Sequence, residues 1–259
     1  MNVAILGAGN IGWHISKAFI KAGHPVKQVW SRTPEKAVDI ALEIGANSIT
    51  DLSLIGDNID LVVLAVSDDA IVDVASQLNL NNKQVLVHTS GSTSIAALER
   101  YAVNYGVIYP LQTFSKNVEV DFLKVPVCVE GSTVEIGELL LSLANDLSES
   151  AQKLNSEQRV LLHISAVFAS NFTNHFYTIA QNILAESGLN FSMIRPLIEA
   201  TANKALHESP FELQTGPARR NDQLTIEKHS SLLIDKLELK ALYEMVSQNI
   251  VKMYDQNQA

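Results

Sequence analysis

Cysteine is nearly absent from this 259-residue chain, and there is no surplus of positive charge. The single cysteine, Cys128, excludes an internal disulfide and is too little for a zinc cluster. It lies in the apolar run 125–129, where an inert core thiol is expected, and no metal centre is expected. Lys and Arg number 19 against 28 Asp and Glu, a formal charge of −9. That balance repels a phosphate backbone and offers no basic face, which argues against nucleic acid as a partner. No uncharged apolar stretch is pure enough to span a bilayer, so no membrane association is expected. Residues 1–6 also lack the basic start and long apolar stretch of a signal peptide, and the expected location is the cytoplasm.

What is present is a globular composition, 47% hydrophobic and 18% charged, in a chain long enough for two domains. Residues 3–6, 26–31, 61–66, 84–89, 107–109 and 125–129 are rich in Val, Ile and Leu and predict strands. Between them, 10–22, 33–44, 69–78 and 94–101 have helical composition. Continuous apolar strands alternating with helices predict an α/β, doubly wound, mostly parallel sheet. From Ser156 the pattern changes to long helical stretches at 156–187, 191–207 and 237–254, with a Gly/Pro/Arg-bearing loop at 210–221. The expected organisation is a sheet domain over residues 1–153 and an all-helical domain over 154–259.

Gly7-Ala8-Gly9-Asn10-Ile11-Gly12 fits G-x-G-x-x-G, with a predicted strand before it and a predicted helix after it. In a Rossmann βαβ unit the first glycine permits the tight turn and the second lets backbone approach a pyrophosphate. The third lets helix and strand pack closely. The free N–H groups and dipole at the helix start then stabilise the anion. Gly7, Gly9, Asn10, Ile11 and Gly12 are therefore candidate cofactor-binding residues.

The end of the second strand bears on which dinucleotide fits. An NAD site places Asp or Glu there for the ribose 2′-OH. This chain reads Trp30-Ser31-Arg32-Thr33-Pro34, with no carboxylate before Glu35. A guanidinium and two hydroxyls suit a 2′-phosphate, so Ser31, Arg32 and Thr33 point to NADP in preference to NAD. The other reading is a surface arginine beside a Ser or Thr that caps the next helix.

With these residues in view, the chain resembles the β-hydroxyacid dehydrogenase and 6-phosphogluconate dehydrogenase superfamily. The likeness rests on 7–12, on 31–33 and on Leu64-Ala65-Val66-Ser67-Asp68-Asp69-Ala70-Ile71. A more specific likeness is to uncharacterised bacterial Rossmann-like proteins labelled NADP oxidoreductases, whose C-terminal helical domain has no assigned function. It rests on His88-Thr89-Ser90-Gly91-Ser92, on residues 109–114 (YPLQTF) and on residues 215–222 (TGPARRND). The resemblance implies that Ala65, Val66, Ser67 and Asp68 lie along the cofactor, that the other stretches frame the nicotinamide, and that the helices build a homodimer.

Ligands of doubly wound sheets sit at the carboxyl ends of the strands. Ser67, Ser90-Gly91-Ser92 and Gln112-Thr113 each follow a predicted strand and so share one crevice, where hydroxyls, an amide and His88 suit a small polar substrate. Turn and helix-cap chemistry is the competing reading for each residue alone. The helix after Ser156 carries no charge from Val160 to Ala185. At about 100° per residue, His163, Ser170, Asn174 and Gln181 fall on one arc with Asn171 beside it. Such a stripe needs partners: substrate, cofactor, a second subunit or core hydrogen bonds.

The superfamily's hydroxyacid dehydrogenases carry a lysine one turn before a helical asparagine. If Asn171 matches that asparagine, the preceding turn offers Val167 and Phe168 and no lysine. The proton that must move at a carbonyl oxygen then needs another donor, and His88, His163 and His175 are candidates because histidine titrates near neutrality. His88, His163 and Asn171 are the catalytic candidates. Ser90, Gly91, Ser92, Gln112, Thr113, Asn174, Arg220 and Asp222 are the substrate candidates. Arg220 suits a carboxylate or phosphate, or else forms a local pair with Asp222 in a solvated loop.

The expected function is an NADP-dependent oxidoreductase moving a hydride to or from a small polar or anionic substrate held between the domains. A non-catalytic NADP-binding sensor and an imine reductase resembling pyrroline-5-carboxylate reductase are the alternatives. The uncharged helix gives the expected homodimer independent support.

Overall fold

The computed structural model describes residues 1–255. The chain forms two compact units, Met1–Phe176 and the residues from Tyr177 on.

The first unit is built on an eight-stranded sheet. Its strands are β1 (Val3–Leu6), β2 (Val26–Trp30), β3 (Asn47–Ile49), β4 (Leu61–Leu64), β5 (Val85–His88), β6 (Asn104–Pro110), β7 (Val127–Gly131) and β8 (Ala151–Lys153). The order is β3-β2-β1-β4-β5-β6-β7-β8, with every pairing parallel except β6 against β7. The strand direction of connection reverses between β1 and β4, and the carboxyl ends there open the crevice used by ligands in this architecture.

Strand β1 shows why the apolar runs are continuous. Val3 and Ile5 join one core with Phe19, Ile40 and Leu140, while Ala4 and Leu6 join another with Leu52, Ile71 and Leu98. Side chains alternate across a strand, so a sheet covered on both faces needs apolar residues at every position. Each fully buried Val, Leu or Ile contributes roughly 1.5–3 kcal/mol of transfer free energy. The helices α1 (Asn10–Lys21), α2 (Pro34–Ile44), α3 (Ile71–Ala75) and α4 (Val134–Leu147) supply the covering layers.

The expected mostly parallel sheet is present, with local differences. The short edge strands β3 and β8 were not expected, since Asn47-Ser48-Ile49 and Ala151-Gln152-Lys153 have little apolar content at a position with one neighbour. The helix expected over 94–101 is a 3-10 turn, Ile95–Leu98, and that expected over 69–78 shortens to α3 behind a 3-10 turn at Asp68–Ala70.

After Lys153 every described element is helical. Asn155 and Gln158 form a capping box that starts α5 (Ser156–Ala166). A π-helical turn, Val167–Phe172, follows and passes directly into α6 (Thr173–Glu186). The divide between the compact units falls within α6, beyond the boundary expected after residue 153, because α5 is bonded to the strands and loops of the sheet.

The second unit contains α7 (Arg195–Ala205), α8 (Pro210–Leu213), α9 (Gln223–Leu232) and α10 (Leu237–Asp255). Pro196 and Pro210 stand in the first turns of α7 and α8, where a missing N–H is no loss. Tyr254 stacks on Phe211 and lies under the Arg219 guanidinium at 4.3 Å. No described helix is long and apolar enough to cross a membrane.

Candidate functional site

The β1–α1 turn is shaped by its glycines. Gly7 sits at φ +126°, and a Cβ there would stand 2.1 Å from the Ala65 carbonyl oxygen. A Cβ on Gly12 would stand 1.9 Å from the Gly7 carbonyl oxygen, so that glycine permits α1 to pack on the turn. A Cβ on Gly9 meets nothing within 4 Å, leaving open space against the backbone. Gly9 is also the N-cap of α1 with no side-chain cap, and the first turn carries no acidic residue. The N-terminal N–H groups and positive dipole end of α1 thus face that space, which fits a pyrophosphate. The Asn10 side chain does other work: Nδ2 donates to the Phe114 carbonyl at 2.9 Å and ties α1 to the 111–124 loop.

At the end of β2, Arg32 is exposed and forms no ion pair or hydrogen bond among the described residues. Thr33 is the N-cap of α2, yet its side chain makes no capping bond, and the Ser31 hydroxyl accepts from the Thr33 N–H at 3.2 Å. The capping role open to Thr33 is therefore not taken up. A guanidinium and a hydroxyl remain free beside the second strand, which suits a 2′-phosphate.

Beyond β4, Ala65 is buried under Gly7, and Asp68 accepts a hydrogen bond from the Ser92 hydroxyl. That bond joins the loops following β4 and β5. Ser90 is mostly buried, and its Oγ accepts from the N–H groups of Ser92 and Thr93 at 3.1 and 2.9 Å. Its hydroxyl thus shapes the loop rather than facing outward.

His88 is likewise enclosed. It is 0% exposed, and its Nδ1 accepts from the Ser90 N–H at 3.2 Å. Burial, and secondarily the Arg159 charge, push its pKa down to about 4, with the Ser94 backbone and Asp68 offsetting part of the shift. The neutral, enclosed imidazole supports the loop through Nδ1, and its buried Nε2 has no hydrogen-bond partner among the described residues.

His163 is placed differently. A cavity of about 540 Å³ at the carboxyl end of β6 is lined by Tyr109, Leu111, Gln112, Thr113, Leu162, His163, Ser165, Ser170 and Asn171, among others. His163 Nδ1 lies 3.0 Å from the Tyr109 hydroxyl, and Thr113 Oγ1 lies 3.0 Å from Ser170 Oγ. Gly91 presses on the same pair: a Cβ there would stand 2.7 Å from His163 Nδ1 and 2.9 Å from Tyr109 Cζ. Burial pushes the Tyr109 phenol up to about 12, so it stays protonated across the neutral range. No charged side chain lines this cavity. A separate cavity of about 560 Å³ lies wholly in the second unit between α9 and α10.

The π-helical turn explains why the helical stripe is shorter than expected. Thr173 Oγ1 donates to the Phe168 carbonyl, five residues back, at 3.1 Å. A π turn shifts the rotational register of everything after it. His163, Ser170 and Asn171 line the cavity, whereas Asn174 does not, and His175 is exposed.

Arg159 and Glu130 went unsuspected in the sequence. Arg159 is 1% exposed, pairs with Glu130, and donates from Nη2 to the Thr93 carbonyl at 2.6 Å and to Ser156 Oγ at 3.3 Å. Glu130 in turn accepts from Ser156 N at 3.0 Å and from Ser156 Oγ at 2.8 Å. The network fastens β7, α5 and the loop after β5 together. The signal available was an arginine immediately before the uncharged stretch 160–185.

Arg220 and Asp222 belong to the second unit. Asp222 caps α9, accepting from Thr225 N at 3.1 Å and Thr225 Oγ1 at 2.7 Å, and these bonds lower its pKa. Arg220 is exposed and makes no ion pair among the described residues. No group of His, Cys, Asp and Glu among the described residues is arranged to hold a metal ion.

Comparison with known proteins adds to this geometry. Residues 2–91 match the family described as NADP oxidoreductase coenzyme F420-dependent, and residues 125–250 match a domain of unknown function, DUF2520. A curated relative, pyrroline-5-carboxylate reductase of Corynebacterium melassecola, is 26% identical over 83% of this chain and 84% of its own length. A reductive aminase of Aspergillus terreus, solved with NADPH and ethyl levulinate, shares the fold at TM-score 0.72 and 16% identity, covering 98% of both chains. A Bacteroides fragilis protein described as a "putative NADP oxidoreductase" aligns at TM-score 0.88 and 36% identity, over 97% of this chain and 98% of that one. With that identity sustained over nearly its whole length, the chain belongs to the same NADP oxidoreductase family, a Rossmann-type domain followed by a DUF2520 domain.

Proposed function

We propose that this chain binds NADP in preference to NAD and transfers a hydride between it and a small substrate in the cavity beside Tyr109 and His163. The observation that carries the reading is the pairing of an open, uncapped helix start at Gly9 with an unpaired Arg32 at the next strand's end. The backbone N–H groups after Gly9 would hold the pyrophosphate, and Arg32 with Thr33 would hold the 2′-phosphate. These two positions direct the dinucleotide from β2 across β1, and strand order then leads toward β4, β5 and β6. The cofactor supplies the hydride when bound. Leu111 and Leu162 give the cavity an apolar wall, while Thr113, Ser170 and Asn171 offer hydrogen bonds that would orient a polar substrate.

Calorimetry on cofactor-stripped protein tests the reading. NADP should bind more tightly than NAD, and Arg32→Ala should cut that preference about tenfold or more, the loss of roughly 1.5–3 kcal/mol for a charged hydrogen bond. An unchanged ratio removes the NADP assignment.

A second reading, reduction of an imine, is favoured by the absence of any charged side chain lining the cavity. An iminium substrate brings its own proton and asks less of the protein. The pyrroline-5-carboxylate reductase and reductive aminase relatives point the same way. Following NADPH oxidation with keto acids and with cyclic imines separates the two. Tight NADP binding with no turnover on either panel instead favours a sensor.

A homodimer built by the helical part of the chain is the quaternary arrangement that fits its exposed apolar side chains.

A further inference from the structure

The cavity holds two groups able to move a proton, and hydrogen bonding assigns them different tasks. Tyr109 is 7% exposed, and His163 Nδ1 is the hydrogen-bond partner of its hydroxyl among the described residues. A buried phenol O–H must find an acceptor, because leaving it unmade costs about 1–3 kcal/mol. Were Nδ1 protonated, it would donate to the phenol oxygen and strand the phenol proton. The satisfied arrangement has the phenol donating to Nδ1. A neutral imidazole with Nδ1 as acceptor carries its proton on Nε2. Nε2 makes no hydrogen bond among the described residues, and His163 lines the cavity. Gly91 closes the other side of the ring, since any side chain there would collide with both His163 and Tyr109.

We propose that Tyr109 is a positioning residue that fixes the Nε2–H tautomer of His163, and that His163 is the catalytic proton donor to a substrate whose C=O or C=N group is bound neutral. This inference rests on the oxidoreductase reading. In the reductive direction the hydride adds to the carbon, and the C=O or C=N π electrons move onto the heteroatom. The heteroatom takes the Nε2 proton while Nδ1 takes the phenol proton. After product leaves, Nδ1 returns its proton to Tyr109 and Nε2 takes one from solvent, which restores the resting tautomer, so substrate, NADPH and one proton give product and NADP. Burial, which pushes the Tyr109 phenol up to about 12, makes it the proton's resting place, so the proton returns to it from Nδ1 when the cycle ends.

The test uses the full chain and two independent readouts. Nitrogen-15 NMR of the histidine rings in cofactor-free protein should show His163 as the Nε2–H tautomer. Tyr109→Phe, which keeps the ring and removes only the hydroxyl, should turn it into a mixture. With a turned-over ketone or imine, the same variant should lose kcat by about 10²–10⁴, the scale of general acid catalysis. Its NADP affinity should be unchanged and its pH–rate profile altered. An Nδ1–H tautomer in the wild-type protein, or a Tyr109→Phe variant that keeps both tautomer and turnover, overturns the proposal. NADP calorimetry involves neither side chain. Failure of binding with the expected tautomer present therefore counts against the oxidoreductase reading and leaves the pairing of the two rings standing.

Discussion

His88 and His163 are separated by their surroundings, not by their chemistry. His163 lies in a cavity wall, whereas His88 is enclosed with its imidazole held at about 4. That enclosure has a consequence for stability. The folded value lies below a histidine's ordinary 6.5, so the unfolded chain takes up the proton first as the pH falls. The stabilisation is complete above pH 6.5, falls away between 6.5 and about 4, and changes no further below that. The loss should be on the order of 3 kcal/mol, from 1.4 kcal/mol per pKa unit. His88→Asn keeps an acceptor for the Ser90 N–H and removes the titration. Urea unfolding of both proteins at pH 7 and pH 4.5 should show a smaller acid loss in the variant, and parallel losses would contradict this account.

At the scale of elements, the Glu130–Arg159 pair makes α5 part of the sheet unit. Both partners are withdrawn from water, so their mutual attraction must compensate a desolvation cost of several kcal/mol for each ion. Removing one partner leaves the other charged and enclosed. Glu130→Ala should therefore destabilise the first unit by about 3–5 kcal/mol. The double replacement Glu130→Met with Arg159→Met should recover a large part of that loss. Chemical denaturation of the three proteins measures this, and a double variant as weak as the single one would show that the pair's value lies in its bonds to Thr93 and Ser156. The glycine turn was readable because three glycines in fixed spacing have separate steric duties, now visible at Gly7, Gly9 and Gly12. The ion pair was not, because Glu130 and Arg159 are far apart in sequence and each alone looks like a surface charge. The resemblance places Tyr109 in a stretch framing the nicotinamide, but its pairing with His163 was not legible, since the two are 54 residues apart.

At the scale of the whole molecule, the second unit has little interior of its own. Among its described residues the buried hydrophobics are Ala218, Ile226 and Tyr254, while Leu224 is 81% and Leu206 75% exposed. A small domain ordinarily buries about 60% of the surface its unfolded chain exposes. On the uncharged helix, Leu161 is 65% and Phe168 64% exposed. In the proposed homodimer a second copy of the chain covers these side chains, since symmetric homodimers are the commonest closed assembly and obligate ones resemble a core cut in half. Replacing Leu161 and Phe168 together by Glu would force carboxylates into that contact. Light scattering coupled to size exclusion should then report monomer or aggregate in place of dimer, and an undisturbed dimer would dismiss this helix as the interface.

The sequence by itself determined the doubly wound sheet, the nucleotide-binding turn and the cationic end of β2, because each depends on local periodicity or on residues adjacent in the chain. Tertiary structure alone decided which histidine faces the cavity, which hydroxyls are spent on turns, that Tyr109 stands beside His163, and that Glu130 and Arg159 pair away from water. Those outcomes depend on desolvation and on partners far away in sequence, and no local pattern encodes either.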